Sequence, residues 1–146
     1  MQSSTEELVE KFRSRTLPKQ EWTHEAHLKV GIWHLLYYSP YESLTRLRQG
    51  IKQYNIACGV ENTDTQGYHE TITRFYVVII QEFLRRVERK RSIDLLADEF
   101  IKLYGDKSLP FAYYSKDKLF STAARREWLE PDLKTISRME RSSNTY

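Results

Sequence analysis

His69-Glu70-Thr71-Ile72-Thr73-Arg74-Phe75-Tyr76-Val77-Val78-Ile79-Ile80-Gln81-Glu82-Phe83-Leu84-Arg85-Arg86-Val87 is the stretch whose reading decides the fold. Taken alone, Phe75 to Ile80 is an unbroken apolar run that could form a buried strand. Its surroundings argue for helix. Ile72, Phe75, Tyr76, Ile79, Ile80, Phe83, Leu84 and Val87 recur at three- and four-residue steps, no turn residue interrupts them, and the stripe ends in a basic run that suits a helix C-terminus. A long, largely buried helix here makes the whole chain all-α, because the remaining segments carry the same period.

Working outward, a capping box of Ser4 with Glu7 predicts a first helix through Leu8, Phe12 and Arg15, stopping before Pro18. Thr23 is an N-cap for a second helix through Leu28, Ile32, Leu35 and Leu36 to about Tyr38. Ser39-Pro40-Tyr41-Glu42 supplies an N-cap, a proline at the first helical position and a glutamate at the third. That third helix carries Leu44, Leu47, Ile51 and Tyr54 and closes at Gly59. Residues 60–67 form a polar loop. Ser92 caps a fifth helix through Leu95, Leu96, Phe100 and Leu103, closed by Gly105. Short helical pieces and an irregular aromatic segment follow Pro110. The expectation is one domain over residues 1–146, a bundle of about five main helices, frayed at 1–3 and 141–146.

The 146 residues are enough for a real core, and the net charge of +3 is mild. No apolar run is long enough for a membrane span, and the N-terminus does not read as a signal peptide. Cys58 is the single cysteine, so no intrachain disulfide can form and a cytoplasmic setting is the expectation. No recognition motif for nucleic acid is present.

Of four histidines, His24 and His27 open the second helix and His69 opens the fourth. Residues three apart share a helix face, so His24 and His27 can converge. Short connections make the second, third and fourth helices run up, down and up, which brings the starts of the second and fourth to one end. The arrangement predicts a divalent metal bound by His24, His27 and His69, zinc by default, with iron, nickel or copper also suited to imidazole. His34, about 10 Å farther along its helix, falls outside such a site. Glu70 is the candidate general base or fourth ligand. Each of these histidines also has a plain structural role available as a cap or a stacked ring.

Three stretches resemble signature segments of small uncharacterised bacterial helical proteins. They are Trp22 to Leu28, Asn62 to Thr73, and Leu119 to Arg125 with Trp128 to Leu133. The resemblance implies that these segments work together and carries no mechanism. In that picture Ser121 caps a short helix and Arg125 is a candidate contact for an anionic substrate, with a salt bridge as its structural alternative. Independently of the resemblance, Tyr68, with Tyr113 and Tyr114, is placed near the site as a candidate substrate contact, with an amphipathic core-edge position as the structural alternative. Two functional classes follow. One is a small metal-dependent enzyme acting on a small, anionic substrate. The other is a non-catalytic binding or adaptor protein that presents the basic end Arg85 to Arg91 to an acidic partner or to nucleic acid, with the mild net charge arguing against the latter.

Overall fold

The computed structural model describes residues 2–88 and 90–136. Helices span Ser4–Ser14 (α1), His24–Tyr37 (α2), Pro40–Ala57 (α3), Glu70–Arg86 (α4), Ile93–Tyr104 (α5), Lys116–Leu119 (α6) and Thr122–Arg126 (α7). Short 3-10 turns lie at Lys19–Glu21 and Leu109–Ala112. Among the described residues there is no strand, so Phe75 to Ile80 is helical and the chain is all-α. No helix is long and apolar enough to cross a membrane among the described residues. The expected fraying at 141–146 and the basic residue Arg89 fall outside the described residues.

Most boundaries follow from caps. Thr23, Ser39, Ser92 and Ser121 each accept a hydrogen bond from a backbone N–H in the first turn of α2, α3, α5 and α7. Gly59 sits at φ +81°, the left-handed conformation that ends a helix with least strain. The first helix differs from expectation by one residue. Its capping box is Ser3 with Glu6 rather than Ser4 with Glu7, and residue 3 is an ordered cap rather than a frayed end. The shift has a tertiary cause. Asp94 accepts from the backbone N–H of Ser4 and Thr5 and from the Thr5 hydroxyl at 2.6 Å, so the carboxylate at the start of α5 also serves the start of α1.

The centre of the bundle is α2, which packs on α1, α3, α4 and α5. A helix so surrounded buries apolar residues on more than one face: Leu28, Val30, Ile32 and Leu35 are all buried. Gly31 allows α2 and α4 to approach closely, since a Cβ there would lie 2.9 Å from Ile80 Cδ1. Phe12, Trp22 and Tyr54 form one aromatic cluster at the α1–α3 side, and the Tyr54 hydroxyl donates to the Leu17 carbonyl at 2.8 Å. The segment after Pro110 folds over the start of α4. Tyr114 is fully buried and donates to the Leu129 carbonyl. The Thr71 hydroxyl donates to the Glu127 carbonyl at 2.7 Å and accepts from the Leu129 N–H at 3.2 Å.

Candidate functional site

The structure does not gather the three histidines into one cluster. Among the described residues, no group of three His, Cys, Asp or Glu side chains is placed to hold an ion. His69 is the reason on one side. It is the N-cap of α4, not a residue of its first turn. Its Nδ1 accepts from the Ile72 N–H at 3.1 Å, which leaves Nε2 protonated to donate to the Leu119 carbonyl at 2.7 Å. Neither nitrogen has a lone pair left for a metal. Axial stagger is the reason on the other side. The His24 ring meets α4 at Tyr76, with ring centroids 5.7 Å apart. Tyr76 is seven residues beyond His69, about 10 Å along the helix axis. The starts of α2 and α4 share an end of the bundle, yet α4 begins roughly two turns before it reaches His24.

His24 and His27 instead stand at the rim of an apolar cavity of about 260 Å³ between α2, α3 and α4. The floor is made of buried Leu28, Gly31, Leu47, Tyr76, Val77 and Ile80; the rim adds the less buried Ile51, Ile72 and Thr73. The periodicity that builds the core also builds this floor. Positions 28 and 31 of α2 face positions 76, 77 and 80 of α4, and at Gly31 the absent side chain lets Ile80 Cδ1 come up against the α2 backbone.

The polar atoms of the rim have definite hydrogen-bonding roles. His27 Nδ1 lies 2.8 Å from the Thr23 carbonyl, which can only accept, so Nδ1 carries the proton. In the neutral ring Nε2 is then an acceptor. The Thr73 hydroxyl gives its proton to the His69 carbonyl at 2.8 Å, which leaves its oxygen lone pairs as acceptors. His24 Nε2 and the Tyr76 hydroxyl are buried without a hydrogen-bond partner. Desolvation lowers the His24 pKa, with Lys107 adding to it against the opposing pull of Glu25, the Gly105 carbonyl and Asp106. His27 is lowered too, chiefly by desolvation, where its ring lies flat on Trp22 with centroids 3.7 Å apart. Because His27 as a residue remains exposed, solvent at its free edge limits that drop. Both rings are neutral at pH 7. Burial, with Asp106 assisting, pushes the Tyr76 hydroxyl up to about 12.

Tyr68, Glu70 and Arg125 come together elsewhere, in a polar cleft on the other side of the α3–α4 seam. Glu70 is fully engaged there. Arg48 Nε and Nη2 donate to its two oxygens at 2.9 and 2.7 Å, and the Tyr68 hydroxyl adds a third bond at 2.7 Å. Desolvation alone would raise this carboxyl, but the hydrogen bonds from Arg48 and Tyr68 and the charges of Arg48 and Arg74 outweigh it and hold the pKa below the ordinary value. A carboxylate so stabilised is a poor proton acceptor, so Glu70 is a structural hub rather than a general base. Arg125 forms no ion pair among the described residues. Its Nη1 donates to the Gly67 carbonyl at 3.0 Å and, longer, to the Tyr68 carbonyl at 3.4 Å.

His34 is buried, with Nδ1 donating to the Val30 carbonyl at 2.8 Å and its ring against Trp33 and Tyr38. Desolvation, aided by Arg13 and Arg46 against the Val30 carbonyl, brings its pKa down to about 4. At the basic end, Arg85 and Arg86 pair with Glu82, and Arg91 pairs with Glu99. These cations are partly neutralised within the fold, which weakens the case for an acidic partner at that end.

The sequence offered no local signal for Arg48, whose partner lies 22 positions away, or for Gly31, Thr73 and Tyr76. Only the packing of α2 on α4 makes them a site. Comparison with protein families, with curated proteins and with solved structures finds no match for the chain.

Proposed function

We propose that the protein binds a small, uncharged, mostly apolar molecule with one hydroxyl or N–H donor, in the cavity between α2, α3 and α4. The observation that carries this reading is the joining of an apolar floor to a rim that offers acceptors, His27 Nε2 and Thr73 Oγ1. Such a combination, an apolar pocket with a few convergent polar groups and perturbed imidazoles, is the usual form of a small-molecule site. The volume of about 260 Å³ exceeds the roughly 150 Å³ in which an apolar cavity holds benzene. The unpartnered His24 Nε2 and Tyr76 hydroxyl add support, because buried polar atoms without partners are rare and each costs about 1–3 kcal/mol. The imidazoles act in this reading as neutral acceptors, and no step of it requires a metal.

Calorimetric titration with p-cresol and with toluene tests the reading. Both fit the floor and only p-cresol has a donor. The expected result is saturable binding of p-cresol, with toluene weaker by about fivefold, the worth of one net hydrogen bond. Ile51→Trp, which enlarges a rim residue into the cavity, should remove binding of both while leaving the melting temperature within a few degrees. Absence of p-cresol binding to the wild type, or its survival in a folded Ile51→Trp protein, would contradict the proposal.

A further inference from the structure

The polar cleft that holds Tyr68 and Arg125 has a volume of about 560 Å³, inside the roughly 300–1,000 Å³ range of ligand sites. Its charges divide into two sets. Arg48 is neutralised by Glu70, and Arg126 makes a bidentate pair with Asp64 at 2.7 and 2.8 Å. Among the described residues Lys52 and Arg125 have no acidic partner within 4 Å, and of the acids in the lining Glu127 is left unpaired there. The balance is two free cations against one free carboxylate.

Those two cations meet at Tyr68. Lys52 Nζ lies over the Tyr68 ring, 5.2 Å from its centroid, while Arg125 is fixed by the carbonyls of Gly67 and Tyr68. Arg125 uses only Nη1 for these bonds, so Nε–H and the Nη2 hydrogens remain available as a fork.

The wall behind them is rigidly built. Asn62 Oδ1 accepts from Asn55 Nδ2 and from the Tyr68 N–H, each at 3.0 Å, and Asn62 Nδ2 donates to the Lys52 carbonyl at 3.1 Å. Gly67 adopts φ +82°, and a Cβ there would lie 2.6 Å from the Glu61 carbonyl oxygen. The loop 60–69 is thereby tied to α3 through Asn62 and to α7 through Arg125 and Arg126. A site whose donors are fixed before binding loses less freedom on capturing a ligand.

We propose that this cleft is a second binding site, for the phosphate group of a phosphomonoester or for free phosphate, held between the Arg125 fork and the Lys52 ammonium. A dianionic, three-oxygen group matches two cations, one of them planar, better than a single carboxylate does. The inference stands apart from the apolar cavity, since no residue lines both.

The test is titration of the full chain with inorganic phosphate, phenyl phosphate and acetate at pH 7.5 and low salt, followed through the amides of Gly67 and Tyr68 and the Arg125 Nε–H by NMR. Saturable shifts are expected with both phosphates, at least several-fold weaker ones with acetate, and weaker binding as sodium chloride is raised. Tighter binding of phenyl phosphate than of inorganic phosphate would identify the monoester as the preferred form, and equal binding the free anion; either result supports the site. Lys52→Gln, at an exposed position where folding is not at risk, should weaken phosphate binding about tenfold, and Arg125→Gln should weaken it at least as much. No saturable shift, acetate equal to phosphate, or a Lys52→Gln protein with unchanged affinity would overturn the assignment.

Discussion

The apolar cavity and the polar cleft lie on opposite sides of one seam, where α3 meets the start of α4, and they are built by opposite rules. Leu47 and Ile51 of α3 face the cavity, while Arg48 and Lys52, one position on, face the cleft. In the cleft most charged groups have partners, and the loop behind them is tied at several points. In the cavity the apolar residues pack to leave a void, and the nearby polar atoms His24 Nε2 and Tyr76 Oη lack partners. The lesson concerns which unmet requirement each region leaves. The cavity lacks atoms to fill it and a donor for its acceptors; the cleft lacks negative charge.

The largest effect that would sharpen this contrast comes from Glu70→Ala. The change leaves Arg48 without its carboxylate and the Tyr68 hydroxyl without its acceptor. Arg48 keeps 36% of its side chain exposed, so the cost falls at the low end for a broken buried pair, about 3 kcal/mol. A denaturant melt measures it, and p-cresol binding at the cavity should survive. Loss of both stability and cavity binding would show that the two regions are not separable.

Acidification ranks next. His34 ordinarily titrates at 6.5 and is brought down to about 4 by burial, so the unfolded chain takes up its proton first. Its contribution to stability is complete above pH 6.5 and is lost as pH falls from there towards 4. Between pH 7 and pH 5 this residue alone should cost about 2 kcal/mol. His24 and His69, also lowered, act in the same direction, whereas the low pKa of Glu70 adds its loss at more acidic values. Denaturant melts at pH 7 and 5 read the slope, and His34→Gln should flatten it.

Thr73→Val is a smaller probe of the cavity and also removes the hydroxyl's bond to the His69 carbonyl. It keeps the shape and removes an acceptor, so the preference for p-cresol over toluene should shrink by about 1 kcal/mol or less. Equal preferences in variant and wild type would leave His27 as the sole acceptor. The smallest expected effect is that of metal removal. Dialysis against a chelator should leave the melting temperature and p-cresol affinity unchanged, because His69 is held in a cap and the remaining rim imidazoles serve as acceptors.

The helices were legible because their signals are local. A periodic apolar stripe, Ser39-Pro40-Tyr41-Glu42 and Gly59 each act within a few residues of themselves. The start of α1 moved by one residue where a distant group, Asp94, competed for its N–H groups. The distance between His69 and the other two histidines has a related cause. Spacing within α2 places His24 and His27 at one rim, but the axial stagger of α4 against α2 depends on packing, including the close approach at Gly31. Tyr68, Glu70 and Arg125 do share one cleft, yet the role of Glu70 turns on Arg48, and no local pattern joins residues 22 positions apart.

The most direct test of the central claim is an NMR titration with p-cresol on protein carrying labelled Leu, Val and Ile methyl groups. The account predicts saturable shifts confined to Leu28, Leu47, Ile51, Ile72, Val77 and Ile80, with intermolecular NOEs from the cresol ring to Ile80 Cδ1. Shifts scattered over exposed methyls such as Ile56, Leu95 and Leu103, or none at millimolar ligand, would contradict it.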